Sequence, residues 1–150
     1  MKKVILVFML SSLIAGCGMG SNEAVKQNQT GDKSEIAAGE LAPSLSEKEP
    51  LLFEYKVKNQ TEKEISLEFT SSQRFDYSVL DSDGKEIYLF SSVALYLQEM
   101  GEEDLQQGEE LVYDIDLKDL GLKTGEYEVK AWMTPKDGKE FVVSKVFIIK

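Results

Sequence analysis

The residue with the clearest reactive chemistry is Cys17, the single cysteine of a 150-residue chain that contains no histidine. It directly follows the small pair Ala15-Gly16, and an uncharged apolar run from 4 to 14 comes before that pair. The chemistry open to such a site is modification of the thiol and cleavage of the bond before it. Because Lys2-Lys3 precedes the apolar run, the pattern is that of a secretory signal. The run is shorter than the roughly 20 apolar residues that a spanning helix needs.

The segment Ile14-Ala15-Gly16-Cys17 resembles the lipobox of bacterial lipoproteins. This resemblance implies a diacylglyceryl group on the Cys17 thiol and cleavage between Gly16 and Cys17. Each buried CH₂ contributes about 0.8 kcal/mol, so two acyl chains would anchor the protein firmly to the cell membrane, on its extracytoplasmic side. The alternative is a plain secretory signal with an incidental cysteine. A lone reactive thiol in an exported protein favours lipidation.

The charge of the chain limits its partners. It carries 27 acidic and 17 basic residues, a net charge of −10, and loss of the two N-terminal lysines makes it more acidic. Nucleic acid and anionic lipid headgroups are excluded as partners, because binding them depends on Lys and Arg. A basic protein or a divalent cation fits better, and acidity that serves only solubility is the alternative.

The residue types also argue against catalysis. Without histidine, and with the cysteine lipidated, the chain has no imidazole or thiolate for a zinc or copper site and no Ser-His-Asp triad or cysteine nucleophile. Most carboxylates fall on polar strand faces or in turns, where they are solvated. We therefore predict that the protein is not an enzyme, has no metal site and has no cofactor besides the lipid on Cys17.

The chain divides into three parts. Residues 1–16 form the signal peptide, and residues 17–34 form the lipidated N-terminus and a disordered polar tether that spans about 20–25 Å. Residues 35–150 suffice for one domain. The tether would lift this domain off the bilayer.

Period-two alternation predicts that the domain is all-β. Phe53, Tyr55 and Val57 share one face of the first clear strand, and Tyr127, Val129 and Ala131 share one face of a later strand. The predicted strands are 53–58, 65–69, 75–79, 86–90, 111–115, 125–132 and 141–149, with a weak first edge strand at 35–41 and no register for the last strand. Seven to eight short strands separated by turns are typical of an antiparallel β-sandwich.

Two local motifs have alternative interpretations. Asp81-Ser82-Asp83-Gly84 resembles the start of a calcium loop, but Lys85 stands where a ligand is expected and no glutamate closes the loop, so a β-turn is favoured. Gly125-Glu126-Tyr127 suits the tyrosine corner of an immunoglobulin-like sandwich, in which the phenol bonds back to the preceding loop. The alternative for Tyr127 is an ordinary core tyrosine.

The stretch from Phe53 to Met133 resembles the BsuPI family of intracellular proteinase inhibitors. The resemblance rests on segments in the family's order and approximate spacing: Tyr55-Lys56-Val57-Lys58-Asn59-Gln60-Thr61, Phe69-Thr70-Ser71-Ser72-Gln73-Arg74-Phe75-Asp76, the hairpin 79–88, and Thr124-Gly125-Glu126-Tyr127-Glu128-Val129. It implies an immunoglobulin-like sandwich and inhibition of a serine protease. The signature residues mark either a binding surface or structural turns: Asn59, Gln73, Phe75, Asp76, Gly125 and Tyr127.

The export signal changes what the resemblance implies about the target. The founding inhibitor acts inside the cell, whereas this chain begins with a signal for export. The partner is then a secreted or wall-associated serine protease, of the subtilisin-like type. The alternative is a non-inhibitory immunoglobulin-like surface module that binds an envelope protein or a wall polymer, because fold alone does not fix function.

The inhibitory element is expected in the segment from 91 to 108, which has no clear periodicity. An inhibitor needs an exposed and ordered loop that fits an active-site cleft. The apolar side chains of this segment could fill the pockets of a subtilisin-like enzyme, or they could cover one end of the sandwich: Leu95, Tyr96, Leu97 and Met100.

Overall fold

The computed structural model describes residues 39–150. The predicted signal peptide, Cys17 and the tether lie outside the described residues. Within 39–150 there is no helix with the length and apolar character of a membrane span.

The described chain contains nine β-strands and two short 3-10 turns. The strands are β1 (Leu41–Glu49), β2 (Leu52–Asn59), β3 (Ile65–Phe69), β4 (Phe75–Asp81), β5 (Glu86–Leu89), β6 (Gly101–Leu105), β7 (Glu110–Asp116), β8 (Gly125–Met133) and β9 (Glu140–Ile149). The 3-10 turns are Phe90–Ser92 and Lys118–Leu120. All strand pairs are antiparallel.

The strands form three sheets, and the two larger ones pack against each other through aromatic side chains. One sheet has the order β1-β2-β7, another has the order β5-β4-β8-β9, and β3 pairs with β6. The rings of Phe53 on β2 and Phe147 on β9 lie 5.2 Å apart, and those of Phe75 on β4 and Tyr113 on β7 lie 4.5 Å apart. The predicted all-β, immunoglobulin-like antiparallel sandwich is confirmed.

Alternation in β2 produces the core face that the sequence predicts. Phe53, Tyr55 and Val57 are fully buried, and the residues between them are half-buried. Burial of each such side chain contributes about 1.5–3 kcal/mol. Val129 and Ala131 on β8 are buried as predicted, whereas Tyr127 is only partly buried. The inward register of β2 and β8 therefore follows from sequence alone.

Two strands lie where the sequence shows no apolar alternation. The first edge strand, β1, begins at Leu41, where the expected fragment at 35–41 ends, and only Leu45 is buried in it. It forms because its backbone pairs with β2 along almost its whole length. β6 lies within the aperiodic segment and is acidic, but it pairs with β3 and buries Leu105. These two strands raise the count to nine, above the seven to eight expected.

β9 acquires its register from a bulge. Phe141 has a φ of 53°, and the pairing with β8 shifts between Ala131 and Met133. The buried Tyr55 hydroxyl donates a hydrogen bond of 2.7 Å to the Phe141 carbonyl. This contact fixes the bulge, which places Phe147 inside and leaves Val142, Val146 and Ile148 exposed.

The Asp81 segment is a turn, as predicted. The Asp81 carboxylate accepts hydrogen bonds of 3.0 Å from the N–H groups of Asp83 and Lys85, and the Gly84 N–H donates to the Asp81 carbonyl. Gly84 has a φ of 75°, which glycine adopts without steric cost. The β-turn interpretation of this segment is confirmed.

Candidate functional site

The candidate site is the binding loop, residues 93–100, between the 3-10 turn Phe90–Ser92 and β6. It contains neither helix nor strand. Leu95 is 99% exposed, Leu97 68% and Met100 70%. Tyr96 is half-buried. The four side chains that the sequence places in this element therefore divide into three that face solvent and one that packs on the domain.

Tyr96 attaches the middle of the binding loop to the sandwich. Its hydroxyl oxygen is buried and has no hydrogen-bond partner among the described residues. Burial raises the pKa of the Tyr96 phenol, and the nearby Asp76 and Tyr88 act in the same direction. The ring thus serves as an anchor, while its neighbours Leu95 and Leu97 remain accessible.

Ser72 forms two hydrogen bonds with the backbone of the binding loop. The Ser72 N–H donates to the Leu97 carbonyl at 2.9 Å, and the Leu97 N–H donates to the Ser72 hydroxyl, also at 2.9 Å. Both backbone polar groups of Leu97 are therefore satisfied within the domain. Its side chain stays exposed, so the loop is ordered without being covered.

Arg74 supports the end of the binding loop. Its guanidinium donates to the Ser71 carbonyl at 2.8 Å and to the Glu103 carboxylate at 2.6 Å, and it lies 4.6 Å from the centre of the Phe69 ring. A Cβ atom on Gly101 would lie 2.3 Å from the guanidinium. Glycine at the start of β6 is what lets Arg74 approach the backbone there.

Asp76 supports the start of the binding loop. This carboxylate is only 5% exposed. It accepts hydrogen bonds from the N–H groups of Ser91 at 3.0 Å and of Tyr77 at 2.9 Å. Ser91 belongs to the 3-10 turn that leads into the loop, so Asp76 ties that turn to β4. These contacts favour the structural interpretation of Asp76.

The two neighbouring signature residues also contact the domain itself. The Gln73 amide donates to the Phe75 carbonyl at 3.3 Å, and the Gln73 carbonyl accepts a hydrogen bond from the Thr134 hydroxyl at 3.3 Å. Phe75 stacks against Tyr113 of the opposite sheet. These residues fix the crossing from β3 to β4, and with it the position of Ser72.

Asn59 joins two turns. It is fully buried, and its amide donates to the carbonyls of Lys63 and Leu105 at 2.8 Å, while its side-chain oxygen accepts from Thr61. Its own carbonyl accepts from the Gly108 N–H. Because its polar atoms are occupied inside the protein, this residue has a structural role.

Tyr127 forms the predicted corner. Its hydroxyl donates to the Lys123 carbonyl at 3.1 Å, in the loop before β8, and its ring stacks on Phe147 at 5.7 Å. Gly125 opens β8, and a Cβ atom there would touch the Tyr127 ring. The tyrosine-corner interpretation is confirmed by this geometry.

Sequence reasoning did not identify the residues that brace the binding loop. Ser72 and Arg74 lie within the quoted signature segment, but their spacing carries no sign of contacts with Leu97 and Glu103, which are far along the chain. Glu103 belongs to an acidic run within the segment 91–108, for which the sequence shows no clear periodicity. The one sequence feature that could have suggested these contacts is the presence, in the same chain, of the Ser-Ser-Gln-Arg segment and an aperiodic apolar segment.

The arrangement is an exposed apolar loop whose backbone is hydrogen-bonded to the sandwich at Leu97. Within residues 39–150, no three potential metal ligands converge. The binding loop exposes two leucine side chains, while Asp76, Ser72 and Arg74 make hydrogen bonds at or near its start, middle and end.

Comparison with known proteins identifies the domain. Residues 40–138 match the profile of the family described as BsuPI, intracellular proteinase inhibitor. A comparison with curated protein sequences gives no significant match. The matched region covers more than half of the chain and contains β1 to β8, the binding loop and its supports. The chain therefore belongs to the BsuPI family of proteinase inhibitors.

Proposed function

We propose that this protein is a membrane-anchored, extracytoplasmic inhibitor of a subtilisin-like serine protease, and that the binding loop enters the protease active site. The observation that carries this proposal is the pairing of an exposed Leu95 with a Leu97 backbone that is hydrogen-bonded twice to Ser72. Membership in an inhibitor family supports a protease as the partner.

The bracing of the loop matters because inhibition depends on preorganisation. A flexible loop loses conformational entropy when it binds, and immobilising each rotamer-rich side chain costs about 0.5–1.5 kcal/mol. Here the turn that leads into the loop is already fixed at Ser91, and the loop backbone is fixed at Leu97. Exposed leucines on a fixed backbone gain apolar burial on binding, at about 25 cal/mol per Å². Such a loop can bind tightly and is cleaved and released slowly.

Anchoring through Cys17 belongs to the same proposal. A diacylglyceryl group on Cys17 would hold the domain at the outer face of the membrane, at the end of the 17–34 tether. The target is then a secreted or wall-associated protease. Replacement of Cys17 by Ser should release the protein into the medium or leave its precursor uncleaved. Lipid labelling that survives this substitution would refute the anchor.

The inhibitory function is tested by titration. A subtilisin-type protease is titrated with residues 17–150 carrying Cys17→Ser, which keeps the chain free of lipid, while gel electrophoresis follows the integrity of the inhibitor. Stoichiometric loss of protease activity with the chain intact is the expected result. Unchanged activity across several secreted serine proteases would contradict the proposal.

A second candidate function has one observation in its favour. β9 is an edge strand of its sheet, and its outer face exposes Val142, Val146 and Ile148. A surface module that binds an envelope protein or a wall polymer could use such an apolar face. Binding of this kind would not depend on an active protease, so it is distinguished by capture of inactive proteins or polysaccharide with protease activity unaffected.

A further inference from the structure

We propose that Leu95 is the side chain that fills the primary specificity pocket of the protease, with the Leu95–Tyr96 peptide bond placed at the catalytic serine. This inference rests on the proposed inhibitory function. It goes further by assigning the choice of protease to one residue of the binding loop. Because that residue is a leucine, the target belongs to the proteases that cleave after large apolar residues.

Leu97 is excluded by its backbone. A serine protease acts on a substrate carbonyl whose oxygen accepts hydrogen bonds from the oxyanion hole. The Leu97 carbonyl already accepts from the Ser72 N–H at 2.9 Å, and the Leu97 N–H is bonded to the Ser72 hydroxyl. Presenting this carbonyl to a protease would break both contacts, so Leu97 is exposed but its peptide bond is not available.

Val93 and Met100 are excluded by their positions at the ends of the binding loop. The Val93 N–H donates to the Phe90 carbonyl at 3.1 Å, and Val93 has helical dihedral angles, with φ −119° and ψ −15°. Met100 directly precedes Gly101, which pairs with Phe69 in the β3–β6 ladder. Val93 itself therefore lies in the turn and Met100 adjoins the ladder, so neither residue is in the central part of the loop.

Leu95 lies in the central part of the loop and has both an exposed side chain and an unbonded carbonyl. Its side chain is 99% exposed, and neither of its backbone groups is hydrogen-bonded to another described residue. Its carbonyl is therefore free to accept from an oxyanion hole. Glu99 and Glu102 are exposed nearby along the chain, which favours a partner with a basic rim around its cleft.

The chain is held on both sides of the Leu95–Tyr96 bond. On the N-terminal side, the Ala94 N–H donates to the Phe90 carbonyl at 3.1 Å, and Asp76 accepts from Ser91. On the C-terminal side, the Tyr96 side chain is half-buried and the next residue is bonded to Ser72. Cutting this one bond would leave both new ends attached to the domain.

This bracketing explains how the loop could resist turnover. When the serine oxygen of the protease bonds to the Leu95 carbonyl carbon, the bond to the Tyr96 nitrogen breaks, and the proton from the serine passes through the catalytic histidine to that nitrogen. A held amine stays beside the acyl-enzyme ester at a high effective concentration. Its return attack re-forms the peptide bond, and the proton goes back to the serine oxygen.

The test compares two arginine substitutions at exposed leucines. Residues 17–150 carrying Cys17→Ser, alone or with Leu95→Arg or Leu97→Arg, are titrated against a subtilisin-type protease and against trypsin, whose specificity pocket selects basic side chains. We expect Leu95→Arg to weaken inhibition of the subtilisin-type enzyme by about 30-fold or more, as for a central anchor residue. The same variant should gain inhibition of trypsin. Leu97→Arg should weaken inhibition of the subtilisin-type enzyme less than Leu95→Arg does, and it should gain no inhibition of trypsin.

The outcomes separate this inference from the proposed function. Suppose that the parent chain inhibits the subtilisin-type protease, but that Leu97→Arg, and not Leu95→Arg, loses this inhibition or gains inhibition of trypsin. Leu95 is then the wrong residue, and the inhibitory function stands. If the parent chain inhibits neither protease nor other secreted serine proteases, the proposed function itself fails.

Prolonged incubation with the protease, followed by mass spectrometry, adds a second readout. The first cut should fall between Leu95 and Tyr96, and a first cut elsewhere in the loop overturns the assignment.

Discussion

Ser72 and Leu97 exchange two hydrogen bonds of 2.9 Å across 25 residues of sequence, one from each backbone N–H. This pair connects the β3–β4 crossing to the exposed apolar loop. The contact resembles one rung of a β-ladder in which a serine hydroxyl replaces one of the backbone acceptors. It gives the loop a fixed backbone at the point where a partner would need one.

Ser72→Ala should loosen the binding loop. The substitution removes the hydroxyl that accepts from the Leu97 N–H but keeps the backbone bond to the Leu97 carbonyl. A single neutral hydrogen bond contributes about 0.5–1.5 kcal/mol, so we expect the free energy of unfolding to fall by that amount. Amide hydrogen exchange at Leu97 should become faster, and proteolysis within 93–100 should accelerate.

Ser82→Ala is the matched control for this variant, because Ser82 lies in the exposed turn between β4 and β5. It should leave both the exchange rate at Leu97 and the cleavage rate unchanged. Equal behaviour of the two variants would show that the Ser72 hydroxyl does not brace the loop.

Gly101→Ala should disturb Arg74. The added Cβ would lie 2.3 Å from the guanidinium, so the arginine must move away from Glu103, to which it donates at 2.6 Å. Hydrogen bonds to charged groups contribute about 1.5–3 kcal/mol, and the partial exposure of this pair reduces that, so we expect a loss of about 1–2 kcal/mol in chemical denaturation.

A double-mutant cycle tests the cause of that loss. In the Arg74→Ala background the clash is gone, so Gly101→Ala should cost clearly less than it does in the parent chain. An identical cost in both backgrounds would place the strain in the backbone of β6 and not in Arg74.

Tyr127→Phe should destabilise the domain by about 0.5–1.5 kcal/mol, because it removes the hydrogen bond of 3.1 Å to the Lys123 carbonyl and keeps the stacked ring. Tyr113→Phe is the matched control, since the Tyr113 hydroxyl donates no hydrogen bond to the described residues while its ring also stacks in the core. Thermal melting of the two variants checks the prediction. A loss in Tyr113→Phe as large as that in Tyr127→Phe would argue against the corner as a specific source of stability.

The sequence predicts those features of the fold that local periodicity encodes. Alternation places Tyr55 and Val57 inside β2, and the Asp81 turn and the Tyr127 corner follow from residue types over a few positions. β1 is different, because its polar residues form a strand through backbone pairing with β2. Such pairing depends on which strand lies alongside, and that information is not local.

The same limit applies to the binding loop. Its apolar composition and lack of periodicity are visible in the sequence, but the separation of Tyr96 from Leu95 and Leu97 is not. That separation depends on burial of the Tyr96 hydroxyl near Asp76 and Tyr88, and on the hydrogen bonds of Leu97 to Ser72, and these residues come from other parts of the chain. Which leucine has a free carbonyl can be determined only once these contacts are known.

Acid should destabilise the domain partly through Glu110. Hydrogen bonds from Lys58 and Lys56 hold the pKa of the Glu110 carboxyl below its usual value of 4.5. A carboxyl whose pKa is lower in the folded state contributes stability that is present above its unfolded pKa and is lost as the pH falls through its folded pKa. The free energy of unfolding should therefore decline below about pH 4.5, and Glu110→Gln should decline less steeply. Added salt should shrink the difference, because the carboxylate is exposed and screened.

Glu62→Gln, at an exposed position without an ion pair among the described residues, is the control and should follow the parent curve. Parallel curves for the parent chain and Glu110→Gln between pH 3 and pH 6 would show that this pair makes no contribution to stability.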